Sequence, residues 1–233
     1  MKVQPVTVFF DVNETLSDLS TVADAFEHVG AGRNLAAAWF ATVLRDGFAL
    51  TSAATEASFG KIARNNARDL LSKVDLDRSL ENTVDTVLTA FATVGVHADV
   101  ADGLWALHSA GHRLFTLSNG PTSTAERLLR DAGALDVFDD LLTVDGHSLW
   151  KPAPAAYLDA VSRTGTEGPT YLVAVHPWDI HGASTAGLST VWINRQGTHY
   201  PDHFRPPTIT VPALTELAQF DLSDLAHAAT VAE

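Results

Sequence analysis

The feature that most narrows the fold is the run Val6-Thr7-Val8-Phe9-Phe10, apolar or β-branched at every position and stopped abruptly by Asp11. A strand with one face in water alternates polar and apolar residues, whereas an unbroken run fits a strand covered on both faces. Similar runs recur at 113–117, 141–144, 171–175 and 190–193, and between them lie helical stretches at 100–109, 122–132, 155–163 and 180–186. Gly111, Gly133, Gly165 and Gly187 follow these helices, where a chain commonly leaves in the left-handed conformation. Such alternation predicts an α/β fold, a Rossmann-like parallel sheet with helices on both faces. Ligands of such sheets collect at the C-terminal strand ends.

Residues 20–92 break the alternation. They carry helical patterns at 22–29, 35–50, 55–71 and 80–91 and no convincing strand. The expected organisation is a core of residues 1–17 and 96–233, with a helical cap of residues 18–95 inserted after the first strand. The tail is Pro-rich from Pro201 to Pro212, with an edge strand expected at 208–211 and a covering helix after it.

Composition removes several function classes. There is no cysteine, which excludes disulfides, thiolate metal sites and a cysteine nucleophile, and which fits a reducing cytoplasm. No apolar stretch approaches the roughly 18 residues of a membrane span, so the expectation is a soluble, unexported protein with no membrane partner. A formal net charge of −13 repels a phosphate backbone and argues against nucleic acid as a partner. An anionic substrate would have to be met by a few local basic groups and backbone N–H donors.

Four predicted strand ends deliver chemistry to one rim: Asp11-Val12-Asn13-Glu14-Thr15, then Ser118-Asn119-Gly120, then Lys151-Pro152, then His176-Pro177-Trp178-Asp179. In order, spacing and strand context these segments resemble the four motifs of the haloacid dehalogenase superfamily, from about Val6 to Asn194. Within it they are most similar to the L-2-haloacid dehalogenase branch. Phosphatases of this fold carry a second Asp where this chain has Asn13, and an acid where it has Val175, so a magnesium site is disfavoured and no metal or cofactor is expected.

The resemblance implies roles. Asp11 would attack the halogen-bearing carbon and form an ester that water then hydrolyses, giving a 2-hydroxy acid. Lys151 would keep Asp11 ionised. Ser118 and Thr15 would aim the carboxylates, and Asp179 would orient or deprotonate water. Asn119 would help hold the halide, and backbone N–H groups near Val12 and Asn13 would receive a small anionic carboxylate substrate. Tyr157 and Phe59 would line the substrate pocket. A homodimer is compatible with this reading.

Two departures from the branch stand out. Its cap arginine, which follows a Trp and faces the leaving halide, is replaced by Phe40 after Trp39, leaving Arg45, Asn119 and His176 as candidate donors. In the last motif, the branch's Ser and Asn are Ala174 and His176, and His176 could position water or act as a base. An atypical phosphatase and a non-catalytic metabolite-binding protein of this fold stay open as alternatives.

Overall fold

The computed structural model describes residues 5–76, 78–146 and 149–223. The chain runs β1 (Thr7–Phe10), β2 (Ser17–Asp18), α1 (Ser20–His28), α2 (Asn34–Ser52), α3 (Phe59–Leu71), α4 (Leu80–Ala92) and β3 (Gly95–Val96). It continues through α5 (Val100–Ser109), β4 (Arg113–Ser118), α6 (Thr122–Asp131), a 3-10 turn at Leu135–Val137, β5 (Asp140–Thr143) and α7 (Pro154–Thr164). Then come β6 (Thr170–Ala174), α8 (Pro177–Thr185), β7 (Ser189–Ile193), β8 (Ile209–Val211) and α9 (Leu214–Leu217).

Six strands pair in parallel in the order β5-β4-β1-β6-β7-β8. Val8, Phe9 and Phe10 of β1 have no exposed surface, which is why their run shows no polar face. From β1 the chain builds first toward β5 and later toward β8. The order therefore reverses between β1 and β6, and the two strand ends there open a crevice.

Helix boundaries follow local chemistry. Helix α3 starts at Phe59 rather than at 55 because Ser58 caps it, its side chain accepting from Lys61 N at 3.4 Å. Helix α8 starts three residues earlier than expected, with Pro177 supplying a preset φ in its first turn. Gly165 closes α7 at φ 60°. The expected edge strand is β8, and α9 follows it on α5, where a Cβ at Gly103 would meet the Leu214 side chain at 2.7 Å. The rest of the expected covering helix, from 224 onward, lies outside the described residues.

Helices α1–α4 lie in sequence between β2 and β3, α2 and α4 each packing on α3 and α1 on α4. Trp39 is fully buried there and donates through Nε1 to Ala63 O at 3.0 Å. The antiparallel pair β2–β3, not expected from the residue pattern, joins the chain just before α1 to the chain just after α4. Two further bonds tie α2 and α3 to the segment between β5 and α7: Phe59 N to Asp145 Oδ1 at 2.7 Å and Trp150 N to Thr51 Oγ1 at 3.0 Å. Gly47 of α2 lies so close to Trp150 that a Cβ there would sit 2.2 Å from the indole. Among the described residues no helix is long and apolar enough to cross a membrane.

Candidate active site

The loop after β1 folds back so that Leu16 N and Ser17 N both donate to Val12 O at 3.0 Å. The turn brings the Thr15 hydroxyl 2.6 Å from Asp11 Oδ2, to which it donates, while its oxygen accepts from Val175 N at 3.1 Å. Across the crevice, Lys151 Nζ donates to Asp11 Oδ1 at 2.9 Å and to Asp179 Oδ2 at 2.6 Å. Tyr157 OH completes the Asp179 carboxylate by donating to Oδ1 at 2.5 Å. His176 lies between two acids, with Nδ1 3.2 Å from Asp11 Oδ2 and Nε2 2.9 Å from Glu14 Oε2.

Each of these groups is placed by its local chain. His176 is the N-cap residue of α8 and Asp179 sits in its first turn, where a negative charge suits the helix dipole. Gly182, one turn further on, leaves room for the tyrosine: a Cβ there would sit 2.7 Å from Tyr157 OH. The Lys151 segment is held by Asn119, whose Nδ2 donates to Lys151 O at 3.1 Å and whose Oδ1 accepts from Lys151 N at 3.0 Å.

Burial sets the electrostatics. Lys151 and Asp179 have no exposed surface and Asp11 is 3% exposed. An isolated charge in such a place is costly, so the ions persist by compensating one another. Burial alone would raise the Asp11 pKa, but the Lys151 ammonium, His176 and Thr15 overcome it and hold the carboxyl well below the usual range. Burial likewise works against the Lys151 ammonium, and the Asp11 and Asp179 carboxylates reverse that and raise its pKa. Asp179 is shifted upward, by burial first, against the pull of Lys151 and with the repulsion of Asp11. Both ring nitrogens of His176 face acceptor-only oxygens, so the ring donates twice and is an imidazolium. Burial disfavours that charge, but the hydrogen bonds it donates to Asp11 and Glu14 hold its pKa up at about 10.

The structure therefore brings Asp11, Thr15, Lys151, Tyr157, His176 and Asp179 into one network, and other expected contacts differ. Ser118 does not aim a carboxylate; its Oγ accepts from Gly120 N at 2.9 Å and so closes its own turn. The Asn119 amide is engaged at both ends by the Lys151 backbone rather than turned to the crevice. Tyr157 is buried behind Asp179 and orients that carboxylate in place of a substrate. Phe59 stacks on Phe91 and Trp150, with ring centres 5.4 and 5.9 Å away, and is packing. Arg45 points outward, with its side chain 67% exposed and bonded to Asp46. Asn13 lies against Gly120, where a Cβ would sit 3.2 Å from its amide nitrogen. The Val12 and Asn13 N–H groups at the end of β1 meet no acceptor among the described residues.

Sequence reasoning missed Glu14. The available signal was an acid three residues after Asp11, opposite a histidine at the neighbouring strand end. Glu14 has φ 61°, a conformation that residues with a β-carbon seldom adopt, and that turn points its carboxylate at His176. Over His176 lie Trp178, stacked at 5.0 Å, and Phe40 of α2 at 6.3 Å. On the far side of His176 and Glu14 opens a cavity of about 480 Å³, which also reaches Phe40, Arg33, His97 and Arg195.

Comparison with known proteins gives a consistent picture. The family model for haloacid dehalogenase-like hydrolases matches residues 6–187. The chain is 28% identical over 210 residues to haloacetate dehalogenase H-2 of Moraxella sp. (strain B), covering 89% of this chain and 93% of that protein. It is 27% identical over 215 residues to an (S)-2-haloacid dehalogenase of Pseudomonas sp. (strain YL), covering 91% and 92%. A solved L-2-haloacid dehalogenase at 27% identity superposes with a TM-score of 0.86 over 94% of this chain and 99% of that one.

Proposed function

Because the chain belongs to the haloacid dehalogenase-like hydrolases, we propose that it cleaves a carbon–halogen bond in a small 2-haloalkanoic acid, releasing halide and a 2-hydroxy acid. The observation that carries this reading is the Asp11 carboxylate: kept ionised, buried, and fixed by Lys151, Thr15 and His176 at the end of β1. A carboxylate stripped of water and held in one orientation is a competent nucleophile toward an sp³ carbon. The names of the relatives, a haloacetate dehalogenase and an (S)-2-haloacid dehalogenase, support the substrate class.

In this mechanism Asp11 attacks the halogen-bearing carbon from the side opposite the halogen, and halide leaves with inversion. The Val12 and Asn13 N–H groups receive the substrate carboxylate, as consecutive backbone donors do for anions. Lys151 is neutralised by two acids, of which Asp179 is itself fixed by Tyr157. A second cation beside Asp11 is His176, which unlike Lys151 lies under Phe40 and takes over part of the stabilisation of negative charge that Phe40 cannot supply. Residues 18–95 act as the cap, with Phe40 closing the crevice over His176. The same reading makes this a cytoplasmic enzyme that works without a cofactor.

A single turnover in H₂¹⁸O, with enzyme in excess over 2-bromopropionate, tests the reading. The product hydroxyl should carry ordinary oxygen and the peptide containing Asp11 should carry the label, since water attacks the Asp11 carbonyl carbon. Label appearing directly in the product would mean that water attacks the substrate, and the ester mechanism would be wrong.

A further inference from the structure

Replacing halogen by hydroxyl consumes water and liberates one proton for every halide, and the buried network gives that proton few ways out. Lys151 and Asp179 have no exposed surface, and Tyr157 closes Asp179 from behind. His176 bridges the network and the cavity. Its Nδ1 faces Asp11, and its Nε2 faces Glu14, whose side chain is 40% exposed and lines the cavity of about 480 Å³.

We propose that His176 and Glu14 form the proton exit of this enzyme, with His176 serving as general base in ester hydrolysis and Glu14 passing the proton from Nε2 to solvent in the cavity. The proposal rests on the dehalogenase reading of Asp11. Alkylation of Asp11 converts an anion into a neutral ester, and His176 loses one of the two carboxylates that keep its ring charged. The imidazolium then loses its Nε2 proton to Glu14 and thence to water, and the neutral ring exchanges its remaining hydrogen through water from Nδ1 to Nε2, which leaves Nδ1 bare and the Nε2–H donated to Glu14. Neutral His176 accepts at Nδ1 a proton from the water whose oxygen bonds to the Asp11 carbonyl carbon. As the tetrahedral species collapses, the bond from that carbon to the substrate oxygen breaks and the leaving oxygen takes the proton back. The acid left on Asp11 reprotonates His176. The sum is halide, hydroxy acid and one proton delivered to the cavity, as the stoichiometry requires.

The surroundings of His176 fit this cycle. The groups of opposite charge facing it come from the loop after β1, as Asp11 and Glu14. Lys151 and Asp179 share the Asp11 network, while α2 presents only the uncharged Phe40. In the cavity the two arginines are already committed, Arg33 to Asp24 and Glu27 and Arg195 to Asp99. Glu14 is fixed in its left-handed turn by Glu14 N donating to Ser17 Oγ at 3.1 Å and by His97 Nε2 donating to Glu14 O at 3.0 Å. That geometry makes Glu14 a positioning residue with a second task at the exit.

The experiment compares wild type, Glu14→Gln and His176→Asn in rapid-mixing halide release, with mass spectrometry of the Asp11 peptide. In both variants the expected result is a halide burst near one per active site. A steady state at least tenfold slower than wild type should follow it, with the carboxyalkyl ester accumulating on Asp11. In Glu14→Gln, raising the concentration of a small imidazole buffer at fixed pH and ionic strength should restore the steady rate, because buffer in the cavity takes the proton instead. A merely structural role for Glu14 gives no buffer dependence and would overturn the proposal. So would burst and steady state that match wild type in both variants, with an ester turning over normally. If wild type itself releases no halide and never carries the ester, the dehalogenase reading fails and takes this one with it.

Discussion

At the strand ends, Asp11, Glu14, Lys151, His176 and Asp179 form one chain of hydrogen-bonded ionisable groups, whereas the insertion meets them with Phe40 and Phe48 against His176 and Trp178. The charged side is ordered by directional bonds, so each member depends on its partner being present. The aromatic side is ordered by shape, and its contribution is to exclude water and thereby strengthen every interaction on the other side. The two regions should consequently fail in different ways: one by losing a charge, the other by gaining a methyl group.

The sharpest break is Asp11→Asn. It should abolish halide release while leaving the far-UV spectrum and melting cooperativity intact, since an amide cannot form the ester but still fills the same space. Near-normal turnover, in protein checked for deamidation, would remove the charged rim from the chemistry altogether.

Lys151→Met should come next, and it acts on stability as well as rate. Two buried carboxylates would lose their common counter-ion, and breaking a buried pair in this way costs about 3–5 kcal/mol. Urea unfolding measures it as a fall in midpoint at unchanged slope. A loss under about 1 kcal/mol would mean that solvent, not Lys151, compensates those acids.

On the aromatic side, Gly47→Ala should cost about 1–3 kcal/mol through overpacking, because the new methyl would meet the Trp150 ring at 2.2 Å. The ring precedes Lys151 in sequence, so kcat should fall with the Tm. Unchanged activity at lowered Tm would separate the two regions more cleanly than the contacts imply.

A further test is a drift of stability with pH. His176 is raised from 6.5 to about 10 on folding, so the folded state holds a proton that the unfolded chain releases between those values. Its stabilisation is therefore complete below about pH 6.5 and disappears as pH rises through about 10. Asp11 behaves oppositely: its pKa is depressed from 3.8, so its contribution is present above that value and is lost as pH falls below it. Melting curves from pH 6 to 10.5 should show wild type losing its margin over His176→Gln, and parallel curves would contradict the ion pairing.

Much of this was legible in the sequence because buried parallel strands leave runs without a polar face. Val6–Phe10 and its relatives announced the sheet, and the residues at their ends announced the rim. Contacts were less legible, because partner choice depends on turns. Ser118 and Asn119 stand at the right strand end, yet the hydroxyl closes its own loop and the amide holds the Lys151 backbone. Arg45 is close to Phe40 in sequence, but its side chain runs outward to Asp46. Glu14 was invisible because its importance rests on a single positive φ and on a histidine 162 residues away. Strands β2 and β3 are two residues each, too short for any alternation to register.

That short pair bears on the order in which the molecule assembles. Strand β1 pairs with β4, Thr7 opposite Arg113, so a long stretch of chain must be closed before the sheet can start. Ser17 and Asp18 lie opposite Val96 and Gly95, which shortcuts everything in the insertion. If α1–α4 collapse first, the segment still to be closed shrinks to about a quarter, which lowers the entropic cost of nucleating the sheet by about 1 kcal/mol. Four helices rich in local contacts form quickly compared with parallel strand pairing. The part of the chain that covers the chemistry is then also the part that speeds the core beneath it, and slowing its collapse would slow sheet formation even where no strand residue is changed.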